Sequence, residues 1–443
     1  AKKVLSHLIG RNQALGKLAA NTILVGKSFT PGDILVYRQR RAIGFVSSEG
    51  GADSHMALIA RGLMLPVAVA DSVWTRIPDG CRLILNGSAG TIIIHPSEED
   101  WQEYQRLKKR HGPALIRRIR KLPQIPPLTK DGKEIEIGAN LSLPGPADDI
   151  LSERKVPVGL YRTEFLFLAQ SSFPDEETQY KYYDQIAEKF AGTSVVLRTF
   201  DLGYDKLSPD TVWTNEDNPA LGWRGIRPML EMKNVFKTQI RAILRASTRR
   251  NIKILLPMIT ELSEVEKARR MISQVKFKLR QEGIDFDADI EVGIMIEVPS
   301  AAMTAETLAT KVDFMSIGTN DLTQYTLAAD RMNSRIAYLY NSFHPAVLNL
   351  IKMTIDAGRK RGIPVTICGE VAGDLLGLPL FLGMGIDMLS VHPGRIVDLC
   401  RTIRKIDSNL VELMVPSVLS SGSPSAVISK LERFQAAVNE TRN

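Results

Sequence analysis

Cysteine is scarce in this chain: Cys81, Cys368 and Cys400 are the only three among 443 residues. They are too few and too scattered for a disulfide framework or a zinc cluster, a usage that fits a reducing compartment. No run of about 18 or more uncharged apolar residues occurs, so no segment reads as a membrane span. The opening residues, "AKKVLSHLIGRNQ", lack the long apolar core of a secretory signal. The expected location is the cytoplasm.

Outside one segment, the chain also has little excess of either charge. The formal net charge is +8, and residues 101–124 alone carry +7 of it, in "WQEYQRLKKRHGPALIRRIRKLPQ". Clustered Lys and Arg release counterions from a nucleic-acid backbone. No base-reading motif accompanies the run, so a solvated helical connector is the expectation and no nucleic-acid partner is assigned.

The chain exceeds the roughly 250–300 residues at which a single core stops growing, which implies two or three domains. Residues 21–95 read as short strands and turns: "ILVGKSF", "DILVY", "AIGFVSSEGG", "PVAVA", "CRLILNG" and "TIIIHP". They describe a compact mixed α/β domain interrupted by one helix from about Ser54 to Leu63. Residues 98–123 read as a helical linker that breaks or kinks at Pro113, and "KLPQIPPL" marks a boundary near 124. The predicted domains are therefore 1–97, the linker 98–123, and 124–443.

The last of these regions changes pattern. Eight apolar segments alternate with helical ones: "EIEIGANL", "VGLYRTEF", "SVVLRTFD", "IKILLPMI", "IEVGIMIE", "DFMSIG", "PVTICGE" and "DMLSVH". That is the signature of a (β/α)₈ barrel, with a doubly wound open sheet as the alternative topology.

Barrel enzymes build their sites at the C-terminal ends of the strands. The second strand ends near Arg162 and Glu164, and the third near Arg198, Asp201, Asp205 and Lys206. The fifth ends at Glu297, and the sixth runs into "GTNDLTQYTLAADR" with Asn320, Asp321 and Arg331. The seventh closes on Cys368, Gly369 and Glu370. Several arginines and two separated carboxylates at one mouth point to an anionic substrate held with a metal. Glu297 lies amid apolar neighbours, where a carboxylate is costly unless a charge or metal satisfies it. With Asp321 it makes an all-oxygen pair of the kind that suits Mg²⁺. A salt bridge to a barrel arginine is the alternative for either carboxylate alone. The arginines offer planar forks for carboxylate or phosphate oxygens, and any one of them also suits a structural ion pair. Cys368 fits a small core residue or, at a barrel mouth, a proton donor.

In the first region, "SEGGADSHMALIARG" sets His55 between a glycine pair and an apolar helix. The glycines allow close backbone approach, and a helix N-terminus favours an anion there. His55 is either a histidine of the cap region or one presented for chemistry.

Together these segments closely resemble enzyme I of the bacterial phosphoenolpyruvate-dependent phosphotransferase system. The runs that carry the likeness are "VGLYRTEFLF", "NPALGWRGIR", "DFMSIGTNDLTQYTLAADR", "HPAVLNLIK", "ICGEVAGD" and "GGADSHMALIAR", in that family's order and over most of the chain. The resemblance implies a swivelling phosphohistidine domain, a helical linker and a phosphoenolpyruvate-binding (β/α)₈ barrel. It implies that His55 is phosphorylated, that Glu297 and Asp321 hold Mg²⁺, and that Arg162, Arg198, Asn320, Asp321 and Arg331 contact phosphoenolpyruvate. It further implies that Cys368 protonates the departing enolate to give pyruvate. A histidine-containing phosphocarrier protein would be the acceptor, sugar transport or a nitrogen-related branch the context, and a homodimer the assembly.

The chain departs from the family's pattern in four places. Asp53 stands where threonine is usual, Tyr204 replaces the second glycine of "GGDK", and His392 falls in "SVHP" where the family has a small polar run. The fourth concerns the start: the opening residues resemble only the tail of the family's helical carrier-binding part, so carrier docking is implied for the parent protein. Two further readings stand beside this one. A dikinase- or synthase-like enzyme would need an ATP-grasp domain, for which the chain has no room. A phosphoenolpyruvate-sensing regulator with weakened catalysis is opposed by the retained His55, Cys368, arginines and carboxylates.

Overall fold

A computed structural model describes residues 18–19, 21–29, 31–49, 56, 60, 65–87, 89–111, 119–120, 122, 127–142, 144–145, 147–170, 173–203, 216, 218–331, 333 and 335–440. His55, Asp53, Pro113, Tyr204, Asp205 and Lys206 lie outside the described residues. Contacts separate the chain into two compact units, Ala1–Lys108 and Lys109–Asn443.

In the first unit, strands β1 (Ile23–Gly26), β2 (Gly44–Ser47) and β3 (Val67–Val69) form a parallel sheet in that order. Strands β4 (Leu83–Asn86) and β5 (Thr91–Ile94) pair as an antiparallel hairpin. The segment "DILVY", expected as a strand, is instead part of the helix Pro31–Gln39. Topology explains the correction: two consecutive parallel strands need a crossover between them, and this helix supplies it. Pro31 opens the helix and Asp33 sits in its first turn, both favoured there, while Ile34 is fully buried. The β-branched Ile34 and Val36 are locally strand-formers, but the crossover overrides that preference, with Ile34 buried and Val36 exposed. Of the helix expected at 54–63, Met56 and Ala60 are described and helical.

The helix Glu98–His111 begins the basic segment. Asp100 accepts the Ser97 backbone N–H at 2.8 Å while Ser97 Oγ accepts the Asp100 N–H at 3.1 Å, a reciprocal N-terminal cap.

The second unit contains a closed barrel of eight parallel strands in chain order. They are β6 (Glu136–Leu141), β7 (Val158–Arg162), β8 (Val195–Arg198), β9 (Ile252–Leu256), β10 (Val292–Ile296), β11 (Met315–Ile317), β12 (Val365–Ile367) and β13 (Met388–Val391). All eight expected strands are present. Pairing of β13 with β6, from Met388↔Glu136 to Val391↔Ala139, closes the barrel and excludes the open sheet. The strands are apolar runs because both faces are covered, one by helices and one by the barrel interior. Leu160, Val196, Leu255, Met295, Phe314 and Cys368 form a separate interior cluster. Gly293 leaves room for it: a Cβ there would lie 2.4 Å from the Phe314 ring.

This interior layer positions the site. Side chains alternate along a strand, so the interior position two residues past Leu160 is Arg162, past Val196 is Arg198, and past Met295 is Glu297. The apolar plug thus passes directly into a charged layer at the C-terminal end.

Candidate active site

Arg198, from the end of β8, is buried and doubly paired. Its Nη2 donates to Glu164 Oε1 at 2.7 Å and its Nη1 lies 3.2 Å from Asp201 Oδ2. Glu164 Oε1 also accepts the Asp201 backbone N–H at 3.0 Å. Burial opposes the charge on Arg198, but Glu164, Asp201 and Glu297 outweigh it and raise its pKa. Its Nε is buried and has no hydrogen-bond partner among the described residues. A guanidinium edge left in that state is a donor suited to an incoming anion.

Arg162 ends β7. Burial lowers its pKa, and the positive charges of Arg198 and Arg331 add to the effect. Arg162 thus lies within the field of two further cations, and a phosphate or carboxylate ligand would supply the negative charge that favours its protonated form.

Glu297 is buried beside the end of β10, and its Oε1 accepts the Met258 backbone N–H at 2.6 Å. Met258 holds a left-handed backbone, φ 57°, which is uncommon for a side chain of this size. Burial, then the charges of Asp321 and Asp201, push the Glu297 carboxyl up to about 8, against the pull of Arg198 and Arg224. Asp321, in the helix Thr319–Leu327, accepts from Arg224 Nη2 at 3.2 Å. In the same helix, Asn320 Oδ1 accepts the Glu370 N–H at 2.9 Å, and its carbonyl accepts from the Tyr340 hydroxyl at 3.1 Å.

Cys368 follows β12. Its thiol lies 3.5 Å from the Ile317 carbonyl, and burial pushes it up to about 11, so at neutral pH it carries its proton. The three cysteines are all free.

This geometry can be set beside known proteins. A family model described as the PEP-binding domain of PEP-utilising enzymes matches residues 117–408, and one described as their mobile domain matches residues 18–90. A citrate lyase structure from Burkholderia xenovorans shares 14% identity at a TM-score of 0.38, over 70% of this chain and 94% of its own, too slight a likeness to build on. The phosphoenolpyruvate-protein phosphotransferase of Listeria innocua is 39% identical over 439 residues, which span 98% of this chain and 76% of the relative. That of Bacillus subtilis is 39% identical over 434 residues, 97% of this chain and 75% of the relative. The chain belongs to the phosphoenolpyruvate-protein phosphotransferase family.

In this phosphoenolpyruvate-protein phosphotransferase family member, the structure links Arg162, Arg198, Glu297, Asp321 and Arg331 electrostatically at one end of the barrel, with Cys368 buried at the end of β12 beside them and Asn320 in the helix after β11. His392 finds a structural role. Its Nδ1 accepts the Gly394 N–H at 3.2 Å and caps the helix Pro393–Ile403, as His344 Nδ1 caps Pro345–Arg361 at 3.1 Å. Each is a His-Pro pair at a helix start.

Sequence reasoning missed Arg224, although it sits in the quoted run "NPALGWRGIR". It donates to both Asp201 oxygens, at 3.3 and 2.9 Å, as well as to Asp321 and to the Tyr325 hydroxyl at 3.1 Å. Arg224 therefore ties the loop after β8 to the helix after β11. It comes from a long connection rather than a strand end, so the strand-end rule did not find it; a charged residue between Trp223 and Gly225 in a non-periodic stretch was the available signal.

Proposed function

We propose that the barrel binds phosphoenolpyruvate and that His55 takes its phosphoryl group, passing it to a histidine-containing phosphocarrier protein. The observation that carries this reading is the meeting of an orphaned arginine edge, a buried carboxylate with a raised pKa and a protonated thiol at one strand-end layer. Membership of the family supports it.

In this reading Arg162, Arg198 and Arg331 neutralise the carboxylate and phosphoryl oxygens of the substrate, with Asn320 as a further polar contact. The His55 imidazole nitrogen bonds to phosphorus as the bond from phosphorus to the enol oxygen breaks. Cys368 then gives its proton to C3 of the enolate, yielding pyruvate and a thiolate that regains a proton from solvent.

Glu297 and Asp321 fit a hard divalent cation. Both offer oxygen, and burial together with the charges of Asp321 and Asp201 raises the Glu297 pKa, an imbalance that a bound cation would relieve. Among the described residues no group of three or more His, Cys, Asp or Glu side chains forms a metal cage, so substrate oxygens and water would complete the shell. Mg²⁺ there would supply charge neutralisation of the phosphoryl group. No described helix is long and apolar enough to cross a membrane, and free cysteines suit a reducing compartment, consistent with a cytoplasmic enzyme. A homodimer, and service to sugar transport or to a nitrogen-related branch, belong to the same reading.

The test is incubation with ³²P-labelled phosphoenolpyruvate and Mg²⁺. Acid-labile label on the wild-type chain, absent from His55→Ala, is expected. A folded protein that binds phosphoenolpyruvate yet takes up no label overturns the reading in favour of a sensor.

A further inference from the structure

Cys368 sits one residue beyond the end of its strand. On one side its backbone N–H still donates to Ile317 O of β11 at 3.1 Å. On the other side the β12–β13 pairing runs only from Thr366↔Met388 to Ile367↔Leu389. The Cys368 carbonyl therefore lies past the ladder, in a buried position where an unpaired acceptor is costly. It is met instead by Asn140, whose Nδ2 donates to it at 2.8 Å from β6, the strand beyond β13. The amide is itself oriented: the Cys368 carbonyl can only accept and so takes the Nδ2 end, which leaves Oδ1 to accept from the Ser390 hydroxyl at 2.7 Å. Ser390 is fully buried, and its inward position depends on Gly159: a Cβ there would lie 2.5 Å from Ser390 Oγ.

We infer that Asn140, oriented by Ser390, is a positioning residue for Cys368 that fixes where its thiol is presented during proton transfer. The inference rests on the proton-donor reading of Cys368. A residue of β6 thus bonds the carbonyl at the end of β12 and is itself held from β13. No other described contact holds the Cys368 carbonyl, and the residue that follows is Gly369, which by itself gives the backbone little stiffness. A thiol that must reach C3 of an enolate within a fraction of an ångström gains from a backbone fixed on both sides. Among the described residues Asn140 makes no hydrogen bond to the thiol or to the arginines, so its effect passes through the Cys368 backbone.

The test uses the full chain with phosphoenolpyruvate, Mg²⁺ and a phosphocarrier, and compares Asn140→Asp, Ser390→Ala and Cys368→Ser. Asn140→Asp keeps the shape and removes the amide donor. Its kcat for pyruvate formation is expected to fall by on the order of 10- to 100-fold with KM within about twofold. Ser390→Ala should lose less, because the amide remains. Solvent-deuterium exchange into the methyl group of added pyruvate, followed by NMR, should slow in parallel, and this readout does not involve His55. Unchanged exchange and kcat in a folded Asn140→Asp, alongside slow turnover in Cys368→Ser, overturns the positioning role alone. Full exchange and turnover in Cys368→Ser overturns the proton-donor reading itself. Equal loss of phosphoenolpyruvate affinity and kcat in Asn140→Asp indicates a general packing defect and also counts against the inference.

Discussion

Replacing Arg224 with Met tests the electrostatic account of the barrel mouth most directly. The side chains are similar in length, so the change removes charge and hydrogen bonds more than volume. Arg224 is the shared cation of Asp201 and Asp321, which are 2% and 9% exposed. Breaking a buried pair by removing one partner costs about 3–5 kcal/mol, because the charge left behind cannot be solvated. Asp201 keeps Arg198 at 3.2 Å, which places the expected loss near the lower end of that range. With a urea m-value of about 3 kcal/mol/M, the barrel's midpoint should fall by about 1 M, read by far-UV circular dichroism. The companion variant Asp201→Asn closes a double-mutant cycle, and the double mutant should lose at least about 1 kcal/mol less than the sum of the singles. A loss below about 1 kcal/mol in Arg224→Met, or strict additivity in the cycle, refutes the claim that this arginine holds the loop after β8 to the helix after β11 by charge.

Three further outcomes follow from the same contacts. Arg198→Lys loses the fork that serves Glu164, Asp201 and the free Nε edge together, so KM for phosphoenolpyruvate should rise by on the order of tenfold, one charge-assisted hydrogen bond. Gly293→Ala forces a Cβ to within 2.4 Å of the Phe314 ring, and thermal unfolding should show a loss of about 1–3 kcal/mol. Burial raises Asp148 from 3.8 to about 6, so the folded chain keeps a proton that the unfolded chain releases. That contribution is complete below about pH 4 and disappears as pH rises through 6; urea titrations of Asp148→Asn should therefore gain on the parent across this window by up to about 3 kcal/mol.

The barrel was legible because its strands are buried on both faces, which leaves an apolar run at each one and a polar residue where each run ends. Arg162, Arg198 and Glu297 could be located by that rule, since each continues the interior alternation of its strand. Arg224 could not, because a connection's path is set by tertiary packing and its residues follow no period. "DILVY" misled for the opposite reason: Ile34 and Val36 carry a local strand preference that the crossover between β1 and β2 overrules. Asn140 was readable as part of a strand but not as a neighbour of Cys368, because only closure of the barrel brings β6 beside β13.

That closure has a consequence for how the protein is made. Asn140 and Ser390 are separated by 250 positions in the chain, and Asn140 and Cys368 by 228. Contacts of such separation form late, because the intervening loop must be closed first. As the chain leaves the ribosome, the arginine layer from β7 and β8 is synthesised long before the strand that completes the seam. The corner that joins Asn140, Cys368 and Ser390 is among the last pieces to be built, and a chain stalled short of Ser390 would already hold Arg162, Arg198, Glu297 and Asp321 while the Asn140 amide lacked its hydroxyl partner.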